Sequence, residues 1–440
     1  MKRQRFWVDG MAEVVVKRTG TLSGEVAAPP SKAYTHRMLI AALLSNGVSR
    51  IENYLVSDDT LATLHAIKAF GAEVKRNKNF LEVRGAEQLK APEKPINCRD
   101  SGATLRFMIP VAALAHGNTT FIMGPSLSKR PLTPLLRSLE QLEVKTHYEV
   151  GESSVKIQGG GINGGKTTLR GDVSSQFISG LLFACPMARK DTEIILTTPM
   201  ESKSYVQMTE EILHKHKVKV FMSEDFRRLK VPCNQRYSPC DHVVPGDFSS
   251  AAYLLAAAAI TSSKIRVKNL DYGTRQGDKA ILGILKQAGL EVSIGEGFVE
   301  IEGVLSNAIE VDAKDVPDLV PACAAIACYA KGVSKIYNAK RLRYKESDRL
   351  AAVYTELKKM GADIVIGEDS LVIKAPCVMH GAVIDPHDDH RIAMACAAAA
   401  LGADGETKIL NAECVGKSYP TFFRHLQWLG ANVVGGKLYR

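Results

Sequence analysis

The 440-residue chain is predicted to be an α/β protein in two lobes, each made of three copies of one unit. Three observations carry this. A single hydrophobic core stops growing at roughly 250–300 residues, so this length calls for two. A period of roughly 70 residues recurs about six times, longer than common solenoid repeats and so a sign of repeated subdomains. Each period also joins an Ala/Leu-rich helix pattern to an amphipathic helix running into an alternating strand.

The Ala/Leu-rich halves begin near Met38, Phe107, Ile178, Ala251, Ala322 and Ile392. Apolar on every side, they read as buried helices. The other halves are LHAIKAFGAEV, LRSLEQLEVKT, EEILHKHKVKV, LGILKQAGLEV, TELKKMGADIV and RHLQWLGANVV. Gly71, Gly289, Gly361 and Gly430 stand where each such helix needs a C-terminal residue of positive φ. The second and third copies lack that glycine and read as degenerate. Six units divide into residues 31–243 as one domain and 1–30 plus 244–440 as the other, with the break near Val243–Gly246. The pattern leaves open which sheet takes the extended segment Glu13–Ala28.

Composition narrows the function. Apolar runs such as Ala251–Ile260 and Ala393–Leu401 are about half the length a membrane helix requires. Met1–Gly10 is basic but has no apolar stretch of the signal-peptide kind. Nine cysteines, an odd number without a framework, fit reduced thiols in the cytoplasm. A net charge of +10 calls for an anionic partner. Only 6% of residues are aromatic, which favours small polyanions over a nucleic-acid platform.

Polar segments precede the buried helices: SKAYTHR (31–37), DSGATLR (100–106), SSQF (174–177), GDFSS (246–250), VPDLVP (316–321) and DDHR (388–391). Helix N-termini present free N–H groups and partial positive charge, so six of them converging would make an anion-binding cleft. Ser, Thr and Asp there also serve as ordinary caps. Capping alone does not explain the lysines and arginines among them.

With LRYKESDRL (342–350), DPHDDHRIAM (385–394), KRPLTPL (129–135) and CVGKSYP (414–420), these segments resemble the 5-enolpyruvylshikimate-3-phosphate synthase family, in order, from about Gly24 to Gly430. The resemblance implies an inverse α/β barrel of six βαβαββ units, three per domain, with the active site between domains. It implies enolpyruvyl transfer from phosphoenolpyruvate to the 5-hydroxyl of shikimate 3-phosphate, through a tetrahedral intermediate, by a monomer without cofactor or metal. By the same resemblance Lys32, Gly102, Arg130, Arg349, Arg391 and Lys417 would bind phosphoenolpyruvate. Lys32, Ala33, Arg37, Ser174, Ser175, Gln176, Ser202, Tyr205, Asp318 and Lys345 would bind shikimate 3-phosphate, with Arg106 supporting the site. Asp318 would be the base for the hydroxyl, Glu346 the acid for the methylene carbon, and Lys32 a proton source for departing phosphate. Glu346, between Lys345 and Arg349, is expected to be strongly ionised at rest.

Three positions depart from the family pattern: Ala33 for a serine, Asp100 for an asparagine and Ala103 for a threonine. Asp100 would need Arg99 or another cation to neutralise it. Gly160–Thr167 matches a P-loop formally, but Thr167–Gly171 reads as strand, and a P-loop must open a helix. His387 and His390, at i and i+3, lack a convincing third ligand, and Cys233, Cys240 and His242 form no standard zinc spacing. The rivals are the sister family acting on UDP-N-acetylglucosamine, whose Cys or Asp is missing from Gly124–Lys129, and an RNA-binding or RNA-end-processing relative.

Overall fold

The computed structural model describes residues 13–435; the outermost parts of the expected 1–30 plus 244–440 domain, residues 1–12 and 436–440, lie outside the described residues. Twelve α-helices among them fall into six pairs: α1 (Lys32–Leu44) and α2 (Asp58–Ala69), α3 (Gly102–Leu114) and α4 (Thr133–Glu140), α5 (Ser175–Ala184) and α6 (Lys203–Lys215), α7 (Phe248–Ile260) and α8 (Ile281–Gln287), α9 (Val320–Ala327) and α10 (Arg349–Lys359), α11 (His390–Ala400) and α12 (Phe422–Trp428). The first of each pair is the buried one. Every residue of α7 and of α11 is buried, which their alanine-rich runs permit, and the polar Ser249, Ser250, His390 and Arg391 fall in the first turns. Their starts precede the apolar runs by two to six residues, because the polar segments already belong to the first turn.

Six four-stranded sheets accompany the pairs, and one plan repeats. In the second unit Ile96–Asn97 leads into α3 and pairs parallel with Asn118–Ile122, which returns from it. After α4 the hairpin Lys145–His147 and Ser154–Gln158 folds back, its second strand pairing antiparallel with Asn118–Ile122. Gly165–Leu169, in the P-loop-like segment, is a strand of the next sheet, parallel to Thr192–Leu196. That places no helix start where a P-loop requires one.

The helix-to-strand corner is the same in all six copies. Amides of Ala72, Val144, Val218, Leu290, Ala362 and Ala431 donate to carbonyls of Ile67, Leu139, Leu213, Leu285, Leu357 and Leu426 at 2.9–3.1 Å. This six-to-one bond closes a Schellman turn and needs a left-handed residue beside it. Gly71, Gly289, Gly361 and Gly430 supply φ of 95–110°. Glu143 and Lys217 take φ of 65° and 64° in the second and third copies. Those copies are therefore degenerate in residue type but not in backbone.

One core draws on residues from Val14 to Ala28 and from Phe248 to Val433, the other on residues from Tyr34 to Val244. The chain passes between these lobes twice, and at each passage a strand stays behind. Ser23–Ala27 precedes α1 yet pairs parallel with Lys264–Lys268 in the fourth unit, Val26 opposite Val267. His242–Val243 precedes α7 yet pairs with Val48–Glu52 in the first unit. Glu13–Lys17 fills the place of the last strand in the sixth sheet, between Glu406–Leu410 and Val433–Val434. The two passages are tied to each other. Ser31 donates to the Pro245 carbonyl (2.7 Å) and Asp247 to that of Pro29 (2.8 Å). Gly246 is required there, since a Cβ would lie 1.8 Å from the Asn269 carbonyl oxygen.

Candidate active site

A cavity of about 1070 Å³, open to solvent, lies between the lobes, and all six polar segments reach it. Five of the six buried helices are capped by the side chain that precedes them: Ser31, Ser101, Ser174, Asp247 and Asp389. The sixth, α9, follows Leu319 and has no side-chain cap. Capping and convergence therefore coexist. Fourteen of the sixteen residues expected at the site line this cavity: Lys32, Ala33, Arg37, Gly102, Arg130, Ser174, Ser175, Gln176, Ser202, Tyr205, Asp318, Lys345, Glu346 and Arg391. Arg349 and Lys417 do not.

One wall is rich in cations. Lys32 pairs with Asp59 at 2.9 Å. Arg37 is 2% exposed and spends its donors on Thr209 Oγ1 (2.9 Å) and the carbonyls of Ala33 and Tyr205 (2.8 Å each). Burial brings its guanidinium pKa down to about 10. Arg106 donates to Gln176 Oε1 (2.8 Å) and Arg130 to Ser126 Oγ (2.9 Å). The Nε of each is buried without a partner, and among the described residues neither forms an ion pair. Burial, with the Arg130 charge beside it, brings the Arg106 guanidinium down to about 9. Gly102 sits between them, where a Cβ would stand 3.5 Å from an Nη of each and 3.3 Å from Gln176 Oε1. Two guanidinium groups whose Nη atoms lie within about 7 Å of each other repel by roughly 2 kcal/mol at an effective dielectric near 20. An anion belongs here.

The facing wall holds the carboxylates. Asp318 receives Arg349 Nη1 (2.8 Å), Arg391 Nη2 (3.0 Å), the Tyr205 hydroxyl (3.2 Å) and Lys345 Nζ (3.5 Å). Burial alone would raise its pKa, but the charges of Arg391, Lys345 and Arg349 hold it well below the usual carboxylate range. Glu346 pairs with Arg349 and behaves likewise: burial is outweighed by the charges of Arg349, Arg130 and Lys32. Arg349, 1% exposed, also binds Asp389 through Nε at 2.8 Å. Glu346 lies ahead of α10, not on its surface, so this pair is no exposed helix salt bridge. Lys417 stands outside the cavity with Nζ on the Asp388 carbonyl (2.7 Å).

Residues of both lobes touch across the gap. Ser126 Oγ donates to the Glu346 carbonyl (2.6 Å), and Arg341 Nη2 to Ser202 Oγ (2.9 Å). Ser202 takes a left-handed φ of 54° at the start of α6, which turns its side chain toward Arg341.

A family profile described as EPSP synthase (3-phosphoshikimate 1-carboxyvinyltransferase) matches residues 16–426. This chain belongs to that family. It is a transferase of the shikimate pathway, and the UDP-N-acetylglucosamine and RNA alternatives are not favoured. A 3-phosphoshikimate 1-carboxyvinyltransferase of Methanocaldococcus jannaschii is 42% identical over 96% of this chain and 99% of its own length. One from Methanocella arvoryzae is 44% identical over 93% and 97%. An EPSP synthase structure from Acinetobacter baumannii superposes with a TM-score of 0.81 at 25% identity, covering 97% of this chain and all of that one. The two-lobed α/β fold is thus that of the family.

The loop at Asp100 differs from what the sequence predicts. Asp100 is not neutralised by Arg99, which pairs with Asp58 at 2.8 Å. Its Oδ1 accepts the amides of Ser126 and Leu127 at 3.0 Å each, so the carboxylate serves the loop and stays off the cavity wall. Asp59, Ser126, Ser249 and Arg341 were missed. Arg341 stands one residue before LRYKESDRL and Ser126 within the Gly124–Lys129 loop; Asp59 carried no signal beyond a helix start. His387 turns to Glu356 (3.0 Å), away from His390, and His242 faces His216 (2.8 Å).

Proposed function

We propose that the chain moves the enolpyruvyl group of phosphoenolpyruvate onto the 5-hydroxyl of shikimate 3-phosphate and releases phosphate. The observation that carries this is the pair Arg106 and Arg130, buried, facing one cavity with Lys32 and Arg391, and lacking any carboxylate partner among the described residues. Two substrates bearing phosphate and carboxylate would complete that charge balance. Planar forks donate two parallel bonds to such groups, which suits arginine better than lysine.

In this reading Lys32, Arg130 and Arg391 hold phosphoenolpyruvate beside Gly102. Arg349 joins them by exchanging its Glu346 contact for substrate, and Lys417 approaches from the rim. Arg37, Ser174, Ser175, Gln176, Ser202, Tyr205 and Lys345 hold shikimate 3-phosphate next to Ala33. Asp318 takes the proton of the 5-hydroxyl as its oxygen attacks C2, and Glu346 protonates C3. An ionised Glu346 must first gain that proton. Phosphoenolpyruvate's negative charge offsets the surrounding cations and raises its pKa, which favours the uptake. The tetrahedral adduct then loses phosphate, with Lys32 as proton source, and the enol ether is restored as C3 gives up a proton.

We further infer that residues 31–243 and 1–30 plus 244–440 act as two domains, supported by the separate cores and the double passage. The two lobes of a single chain bring together fourteen of the sixteen expected site residues, so this reading of a monomer needs no residue from a second copy. No described helix is long and apolar enough to cross a membrane, in keeping with a cytoplasmic enzyme. The test is phosphate release with both substrates, alongside Lys32→Ala and Glu346→Ala. We expect turnover that drops about 10²–10⁴-fold on losing Glu346. Release with UDP-N-acetylglucosamine in place of shikimate 3-phosphate, or a salt-dependent RNA gel shift without turnover, would sink the proposal.

A further inference from the structure

Behind Ser249 lies a carboxyl group that the proposed transfer reaction does not use. Asp278, in the turn Gly277–Ala280, is 2% exposed and forms no ion pair among the described residues. The Ser249 hydroxyl bonds to its Oδ2, its Oδ1 has no partner, and the Tyr205 hydroxyl stands 3.4 Å from Oδ2. The same Tyr205 oxygen is 3.2 Å from Asp318 Oδ2.

One phenol proton can be shared between two carboxylates only as a weak three-centre bond, so a full bond goes to one of them. Asp318 is fixed in the ionised form by Arg349, Arg391 and Lys345, so it has the stronger claim on that proton. The other groups facing Asp278 are Asp247 at the cap of α7, Cys323 on α9 and Arg391 on α11. Lys279, its neighbour in the turn, points away to the carbonyls of Tyr272 and Thr274 (2.9 Å each). Arg391 is already engaged by Asp318. Asp278 can satisfy Tyr205 only by bringing a proton of its own.

We infer that Asp278 is a positioning residue for the transfer reaction, donating a proton toward Tyr205 so that Tyr205 can donate to the base Asp318. Burial, with the Asp318 charge beside it, pushes the Asp278 carboxyl up to about 7, which is consistent with that role. Once Asp278 ionises, Tyr205 is contested. A new negative charge then stands beside the pocket for an anionic substrate, and binding of shikimate 3-phosphate weakens.

The inference rests on the proposed function, and two measurements separate it from that reading. The first is the pH profile of kcat/KM for shikimate 3-phosphate in the unmodified chain, Asp278→Asn and Asp278→Ala. We expect the unmodified chain to lose about tenfold between roughly pH 6.5 and pH 9, mainly through KM. Asp278→Asn, which still offers N–H donors, should stay within about threefold at the lower pH and lose the alkaline limb. Asp278→Ala should be weaker throughout. An Asn profile parallel to that of the unmodified chain would overturn the inference. The second is infrared spectroscopy of the unmodified chain without substrates. The C=O stretch of a protonated carboxyl should be present near pH 6 and vanish toward pH 9. Its absence near pH 6 would overturn the inference even if no variant folds. Inactivity of the unmodified chain would strike the proposed function alone.

Discussion

Arg349 binds Asp318, Glu346 and Asp389 while only 1% exposed, so it holds the site's acids in place whatever it does for substrate. Removing one partner from a buried charge network leaves the others uncompensated. Arg349→Ala should therefore cost about 3–5 kcal/mol in chemical denaturation. A melt like that of the unmodified chain would show the network to be dispensable. Ala33 makes a softer prediction. It lines the cavity, and its carbonyl accepts from Arg37, so Ala33→Ser adds a hydroxyl without disturbing the backbone. Activity should hold and the KM for shikimate 3-phosphate should stay or fall, by up to about threefold for one added hydrogen bond. A large loss would mean the loop is misread. Protonation works in two directions at this scale. Asp318 and Glu346 are depressed, so their stabilisation is complete above about pH 4 and disappears only as pH falls through their folded values. Asp278 is raised to about 7. Between about pH 4 and 7 the folded state keeps a proton that the unfolded state has lost, so this group's contribution falls as pH rises. Melts of Asp278→Asn against the unmodified chain should show a gain at pH 8 that shrinks toward pH 5.

The repeated corner between outer helix and strand shows which physical requirement belongs to an element and which to its residue. The turn is set by one backbone bond and one left-handed φ, and six copies meet both. Glycine is the easy answer, and from the sequence its loss in two copies reads as decay of the unit. It is instead a local strain that the surrounding packing overrides, since Glu143 and Lys217 adopt the same conformation. Lys217 is exposed, whereas the Glu143 side chain accepts from Asn163. Lys217→Gly is the cleaner test and should add about 0.5–1 kcal/mol, the left-handed penalty less the extra entropy of unfolded glycine. A destabilised variant would argue that the Lys217 side chain makes contacts that matter. The buried helices were legible from composition because a helix apolar on every side has nowhere to go but the interior.

At the scale of the molecule, the two passages between lobes interlock the chain. Each lobe contains a strand that the sequence places next to the other lobe's helix, and the first strand closes the last sheet. Deleting residues through Lys17 should leave Glu406–Leu410 and Val433–Val434 without the strand between them, and soluble yield or cooperative unfolding should be lost. A truncated chain with the unmodified melt would show that strand to be decorative. The cavity also belongs to this scale. Arg106 and Arg130 come from one lobe, Asp318, Glu346 and Arg391 from the other, and only their apposition sets the unpaired cations opposite the carboxylates.

The sequence by itself determined the repeat, the buried and outer helices, the family and most of the residues at the cavity, because each of these is written in local pattern or short motif. Tertiary structure decided which sheet receives Glu13–Lys17 and Ser23–Ala27, why Asp100 needs no cation, and that Arg349 faces carboxylates while Asp278 stands against Asp318. Those outcomes depend on what residues tens to hundreds of positions apart present to one another. Strand pairing and charge compensation act through space, and no local pattern in the chain records them.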